Sequence, residues 1–174
     1  DTAGNLNITT NVTSGSFASL ITGGVDGTLS YEIAPLGGNP PVQTVSNGAL
    51  TSGGQAVLYA MDGGNLIGYV NVGGGGGYNS GTDLKVFELD LNEANGSYTF
   101  TLLRPVDHPV GSSENTVAIN LNGRVTVTDS GGPAGDIDVA LPASITVIDD
   151  IPDAKDDTAT VVAGTKPTMN AILV

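Results

Sequence analysis

The sequence predicts an all-β fold, short antiparallel strands in a sandwich or barrel, on three observations. Alternating apolar and polar residues, bounded by Gly, Pro, Asn or Asp, recur about every ten residues. The 26 Gly and 9 Pro demand many tight turns and interrupt helices. No window sustains an apolar period of ~3.6 residues, so no long helix is expected.

In chain order, strands are expected over residues 29–33, 56–60, 66–70, 85–91, 97–103, 116–121, 123–128 and 144–148. Asn95-Gly96 stands between two of these runs, and Asn-Gly is a strong hairpin signal. Asn122-Gly123 reads as another turn or as a bulge. Residues 15–20 allow one helical turn. With 39% hydrophobic residues, 5% aromatic and no Trp, the core must be largely aliphatic and β-branched.

Two regions break the pattern. Five consecutive glycines at 73–77, followed by Tyr78-Asn79-Ser80-Gly81, offer no side chains to bury and the largest backbone entropy to lose, which predicts a flexible loop. After Ile148 comes Asp149-Asp150-Ile151-Pro152-Asp153-Ala154-Lys155-Asp156-Asp157, with five Asp and one Pro in nine residues. That is a poor strand and a good inter-domain linker. Residues 158–174 regain β character over too short a length for a domain. The expected organisation is one sandwich over residues 1–150, a linker over 151–157 and the opening of a next module over 158–174. The first residues, Asp1-Thr-Ala-Gly4, carry no signal-peptide pattern and read as an internal cut.

A formal net charge of −13, from 18 acidic residues against 5 basic ones, repels phosphate backbones, and no Lys/Arg cluster is present. Nucleic acid and anionic lipid are therefore not expected as partners. No stretch reaches the ~20 apolar residues of a membrane span. The absence of Cys excludes thiolate zinc sites and thiol nucleophiles. Such a charge opposes compaction by self-repulsion, and a divalent cation shared among carboxylates would offset it.

Calcium takes about 6–8 oxygen ligands at ~2.3–2.6 Å, from carboxylates, carbonyls and water. It therefore suits Asp-rich, turn-rich segments. Asp149, Asp150 and Asp153 meet that need, with Asp156 and Asp157 beside them; the alternative is a solvated acidic linker. In an extended chain Asp149 and Asp150 would address opposite sides. A second acidic loop, residues 128–138, carries Asp129, Asp136 and Asp138 around a Gly-Gly-Pro turn, where Asp also serves the turn itself. Asp107 and Glu114 border a third loop, and Asp26 sits in a Gly-rich turn.

Catalytic patterns are weak. His108, the one histidine, precedes Pro109 and reads as a loop-holding residue rather than a base. There is no Gly-x-Ser-x-Gly elbow, and the glycine run lacks the Lys-Ser/Thr of a phosphate loop. The Asn-x-Ser/Thr triplets at Asn7, Asn11 and Asn95 carry weight only in a eukaryotic secretory route. No catalytic residue is assigned, and the chain is not expected to be an enzyme.

The run from Ala49 to Asp153 resembles the repeat domains of large adhesins of the repeats-in-toxin class, exported by type I secretion. The matching segments are Ala49-Leu-Thr-Ser-Gly-Gly54, Val86-Phe-Glu-Leu-Asp-Leu91, Asn95-Gly-Ser-Tyr-Thr-Phe-Thr-Leu102, Pro105-Val-Asp-His-Pro109, Val125-Thr-Val-Thr-Asp129 and Ile145-Thr-Val-Ile-Asp-Asp-Ile-Pro152. The resemblance implies an immunoglobulin-like β-sandwich on the bacterial cell surface, with Ca2+ stiffening its junctions to adjacent domains of the same chain. The implied role is to space or project ligand-binding domains for attachment and biofilm formation, as a monomer.

The family's Asp-Asp-x-Pro boundary falls on Asp149, Asp150 and Pro152, and its Thr-Asp position falls on Asp129. Two departures stand out. Ser-Gly-Gly-Pro-Ala-Gly-Asp replaces the family's Asp-Gly-Asp run, which weakens a metal site at that loop. The glycines at 73–77 replace an ordinary short hairpin. They are either a native flexible loop or the place of an inserted module carried sideways, natural or replaced by an engineered linker. The tail Pro167-Thr-Met-Asn-Ala-Ile-Leu-Val174 resembles the first strand of a von Willebrand A-type domain or of another sandwich. Two rival readings remain at this stage. A glycan- or protein-binding module would expose Tyr31, Tyr59, Tyr69 and Tyr78, and a hydrolase would need a deep pocket with a shifted carboxylate or His108.

Overall fold

The computed structural model describes residues 11–21, 27–109, 115–131 and 137–148. The strands are β1 (Val12–Ser16), β2 (Thr28–Ile33), β3 (Thr51–Ser52), β4 (Gln55–Asp62), β5 (Asn65–Val70), β6 (Leu84–Leu91), β7 (Ser97–Leu102), β8 (Thr116–Asn120), β9 (Val125–Ser130), β10 (Ile137–Ala140) and β11 (Ser144–Ile148). One 3-10 turn, Phe17–Leu20, is capped by the Ser16 hydroxyl accepting from the Ala18 N–H, which is the helical turn expected there. Among the described residues there is no α-helix.

Three antiparallel sheets form a curled sandwich. The largest has the order β1-β7-β6-β5-β4-β3, the second β10-β9-β2, and the third β11-β8. Residues 40–45 join the first sheet to the third. The Val42 N–H donates to the Val57 carbonyl and the Tyr59 N–H to the Pro40 carbonyl on one side; on the other, the Asn120 N–H donates to Gln43 and the Val45 N–H to Ala118. A single large core collects Tyr59, Leu66, Phe87, Leu89 and Phe100 from the first sheet, Tyr31, Val125 and Val127 from the second, and Val117, Ile119 and Ile145 from the third.

All eight runs expected from period-2 patterning are strands, with several ends shifted by one or two residues. The run placed at 123–128 begins at Val125 and continues to Ser130. Gly123 adopts φ +68°, so Asn122-Gly123 is a turn, and it links β8 to β9 in different sheets. Asn95-Gly96 does close the β6–β7 hairpin, with Gly96 at φ +70°. Strands β1, β3 and β10 were not expected. The last of these pairs with β9 and draws both ends of the acidic loop into a ladder, with Asp138 opposite Thr128 and Ile137 opposite Asp129.

A bulge shapes the chemistry of the largest sheet. Gly68 pairs with Phe87, but Tyr69 pairs with Lys85, so Val86 is the extra residue. Val86 and Phe87 consequently both point into the core, fully buried. The strand alternation shifts by one, and Lys85 and Glu88 emerge on the same outer face. Phe87 lies across Gly68, where a Cβ would come within 2.2 Å of the ring. It stacks on Phe100 at 5.2 Å and meets Tyr59 edge-on at 6.1 Å.

Tyr59 also ties the sheets together. Its hydroxyl donates to the Asn120 carbonyl at 2.7 Å, and the Arg124 guanidinium covers its ring at 4.8 Å. Burial, only partly opposed by Arg124, pushes the phenol up to about 12. A raised folded-state value stabilises the fold fully below the unfolded value near 10 and is lost as pH rises toward 12. About 2–3 kcal/mol of stability is expected to disappear across that window. Denaturant melts at stepped alkaline pH read it, and Tyr59→Phe should remove this share of the slope. An equal slope in the variant would assign the loss elsewhere.

Candidate functional site

Of the seven principal calcium candidates, Asp136, Asp149, Asp150, Asp153 and Asp156 lie outside the described residues, as do the more weakly placed Asp26, Glu114 and Asp157. Asp107 and Asp129 are described, and they differ. Both Asp107 oxygens are occupied, accepting the Gly53 N–H at 2.9 Å and the Gly54 N–H at 2.8 Å. The Thr51 hydroxyl, with these two N–H groups, holds the carboxyl below the ordinary aspartate value. Asp107 therefore fastens the β3–β4 turn to the segment after β7. Asp129 is half-buried on β9, and its Oδ1 is buried with no hydrogen-bond partner among the described residues, next to Gly27. Asp138 accepts from the Thr128 hydroxyl at 2.6 Å. Among the described residues no three carboxylates or imidazoles converge to hold an ion.

The glycine run is organised by side chains that the sequence reading passed over. Asp83, 8% exposed, closes the loop between β5 and β6. Its Oδ1 accepts the Val72 N–H at 2.9 Å and the Gly73 N–H at 3.1 Å, and its Oδ2 accepts the Asn79 N–H at 2.8 Å. These donors, led by Gly73, hold the carboxyl below the ordinary aspartate value against the opposing effect of burial. Asn71 accepts the Gly74 N–H and donates to the Gly75 carbonyl, both at 2.8 Å. The loop expected to be flexible is pinned at both stems. It also carries Tyr78 back over the outer face of the sheet, where its ring meets Tyr69 edge-on at 5.2 Å.

That face holds a second, small apolar cluster of Ala60, Ile67 and Tyr69, flanked by Leu58 and Tyr78. A polar network lies beside it. Lys85 Nζ contacts Asp62 Oδ2 and Glu88 Oε2, each at 2.8 Å, and Asn65 Nδ2 donates to Glu88 Oε1. Burial alone would lower the Lys85 amine, but the Asp62 and Glu88 carboxylates outweigh it and hold the amine above its ordinary value. Lys85, against burial and with help from Asn65, holds Glu88 below its ordinary value. The bulge is the reason sequence reasoning missed this constellation, since positions 85 and 88 of a regular strand face opposite ways.

The aromatic patch of the rival binding reading is not present as expected. Tyr31, Tyr59 and Tyr69 are 3%, 1% and 0% exposed and belong to the cores; Tyr78 packs on Tyr69. His108 has a buried Nδ1 with no partner and lines an open groove of about 410 Å³ with Asn11, Leu102, Leu103, Arg104, Val147 and Ile148, among others. Asn11 is fixed there, its Nδ2 donating to the Leu102 carbonyl at 2.9 Å while the Leu102 N–H donates to the Asn11 backbone carbonyl. Asn11 precedes β1 and Ile148 closes β11, so both ends of the described fold meet at this one pole.

No helix among the described residues is long and apolar enough to cross a membrane. The chain matches no protein-family model, no curated protein and no solved structure.

Proposed function

We propose that this chain is a structural module of a secreted bacterial surface adhesin, which spaces or projects neighbouring domains and holds Ca2+ in the acidic segment after the last described strand. The observation that carries the reading is the junction itself. β11 ends at Ile148, and five Asp follow within nine residues. The sandwich fold and the resemblance of residues 49–153 to repeats-in-toxin adhesin repeats support the same reading.

Like-charged carboxylates this close repel one another, and an ion shared among them removes that repulsion. A junction that flexes without calcium becomes fixed with it. Asp149, Asp150 and Asp153 are the ligands proposed, with Asp156 next to them. Of the two described candidates, Asp129 fits a cation, since its buried Oδ1 lacks a donor. Each Asp107 oxygen also accepts one backbone N–H of the β3–β4 turn, so that carboxylate has a structural task of its own.

Calorimetric melting in EDTA and then in millimolar calcium tests the reading. Ligand at a hundredfold excess over its dissociation constant stabilises by about 2.7 kcal/mol, which in a chain of this size raises Tm by about 5–10 °C. The shift should largely vanish in Asp149→Asn/Asp150→Asn and persist in Asp107→Asn. Equal melting temperatures with and without calcium would sink the stiffening mechanism.

A further inference from the structure

We propose that Lys85 and Asn65 are the partners of an intramolecular amide cross-link between β6 and β5, formed by the chain itself with Glu88 as the proton carrier. The inference rests on the network on the outer sheet face and is independent of calcium. Glu88 is bonded through one oxygen to the Lys85 amine at 2.8 Å and through the other to the Asn65 amide nitrogen. One carboxylate therefore holds the nucleophile and the leaving group together. Asp62 grips the same amine from β4 at 2.8 Å. Ile67, fully buried between Asn65 and the bulge, supplies an apolar floor, and the Tyr78 ring stands 6.0 Å from the amine.

The step balances without a co-reactant. Glu88 takes one proton from the Lys85 ammonium, and the freed Nζ adds to Asn65 Cγ. The Cγ–Nδ2 bond breaks as Nδ2 collects the proton from Glu88 and a second from Nζ. Nδ2 therefore leaves as ammonium, and the chain keeps one secondary amide in place of one ammonium and one primary amide. Positioning of this kind supplies the effective molarity that such an aminolysis needs, and acid–base transfer through a carboxylate is ordinary chemistry for Glu. Because Asp62 and Glu88 both favour the ammonium form, the free amine is scarce. Bond formation is therefore slow, and the linked fraction grows with incubation.

Intact-mass measurement of the folded chain over time, followed by peptide mapping, tests the proposal. The expected result is the loss of one ammonia, with a branched peptide joining Lys85 to Asn65, absent in Lys85→Arg and strongly slowed in Glu88→Gln. Circular dichroism confirms that each variant is folded. An unchanged mass after prolonged incubation at alkaline pH overturns the proposal. So does ammonia loss that persists in Lys85→Arg, which would mark cyclisation at an Asn-Gly pair. Loss of water with a Lys85–Asp62 branch overturns the assignment to Asn65.

Discussion

Gly68→Ala should lower the stability of the sandwich by about 3 kcal/mol, the upper range for overpacking a core, and Tm by about 10 °C. The new Cβ would sit 2.2 Å from Phe87 Cε1 and 2.5 Å from Cζ, well inside any real contact. The ring cannot swing clear, because Phe100 stacks on it and Tyr59 abuts it, and all three are buried. The backbone cannot yield easily either, since Gly68 lies beside the bulge and is paired to both β4 and β6. Chemical denaturation gives the loss directly. Adding Phe87→Leu to Gly68→Ala should recover part of it, so that the pair is far from additive. A single variant within about 0.5 kcal/mol of wild type would mean that the ring has room to slide, against the packing described.

Removing the Asp83 carboxylate should open the glycine loop. In Asp83→Ala the Val72, Gly73 and Asn79 N–H groups lose their acceptor together. Their amide exchange should speed up by more than about tenfold, while amides in the centre of β6 and β7 keep most of their protection. The same loosening should follow acidification of the unaltered chain. The folded-state value is depressed, so its stabilisation is present above the ordinary aspartate value and is lost as pH falls below about 4. Exchange that rises uniformly across the domain in Asp83→Ala would show that the loop has no separate opening and that Asp83 supports the whole fold.

How far the sequence carried can be argued from these elements. Strands such as β7 and β9 show on inspection because an alternating side chain must be apolar wherever one face is buried. β1 did not: Val12-Thr-Ser-Gly-Ser16 is an exposed edge strand, with little burial to impose a pattern. The Lys85 network was illegible for a different reason. It depends on a one-residue register shift, and nothing in Lys-Val-Phe-Glu announces which residue will be extra. The anchoring of the glycine run was not legible, because backbone entropy was weighed without the polar side chains on either side, Asn71 and Asp83. By contrast, the acidic stretch after Ile148 is plain in composition alone, and of its chemistry the sequence remains the guide. Asp129 lay between: it reads as the first acid of a turn-rich loop, and the fold places it on β9, opposite Ile137.

The meeting of both ends of the described fold at one pole has a mechanical consequence. Were Asn11 and Ile148 at opposite poles, tension along the polypeptide would run parallel to the strands and load many rungs at once. With both lining the same groove, a pull that separates them acts across the strands. The Val12–Thr101 rung is then loaded before the rest of β1, and the Ile148–Thr116 rung before the rest of β11. Each rung fails in turn, as a zip opens, at a lower force than shear would require. In the adhesin role proposed above, such a module would lengthen the tether strand by strand under load.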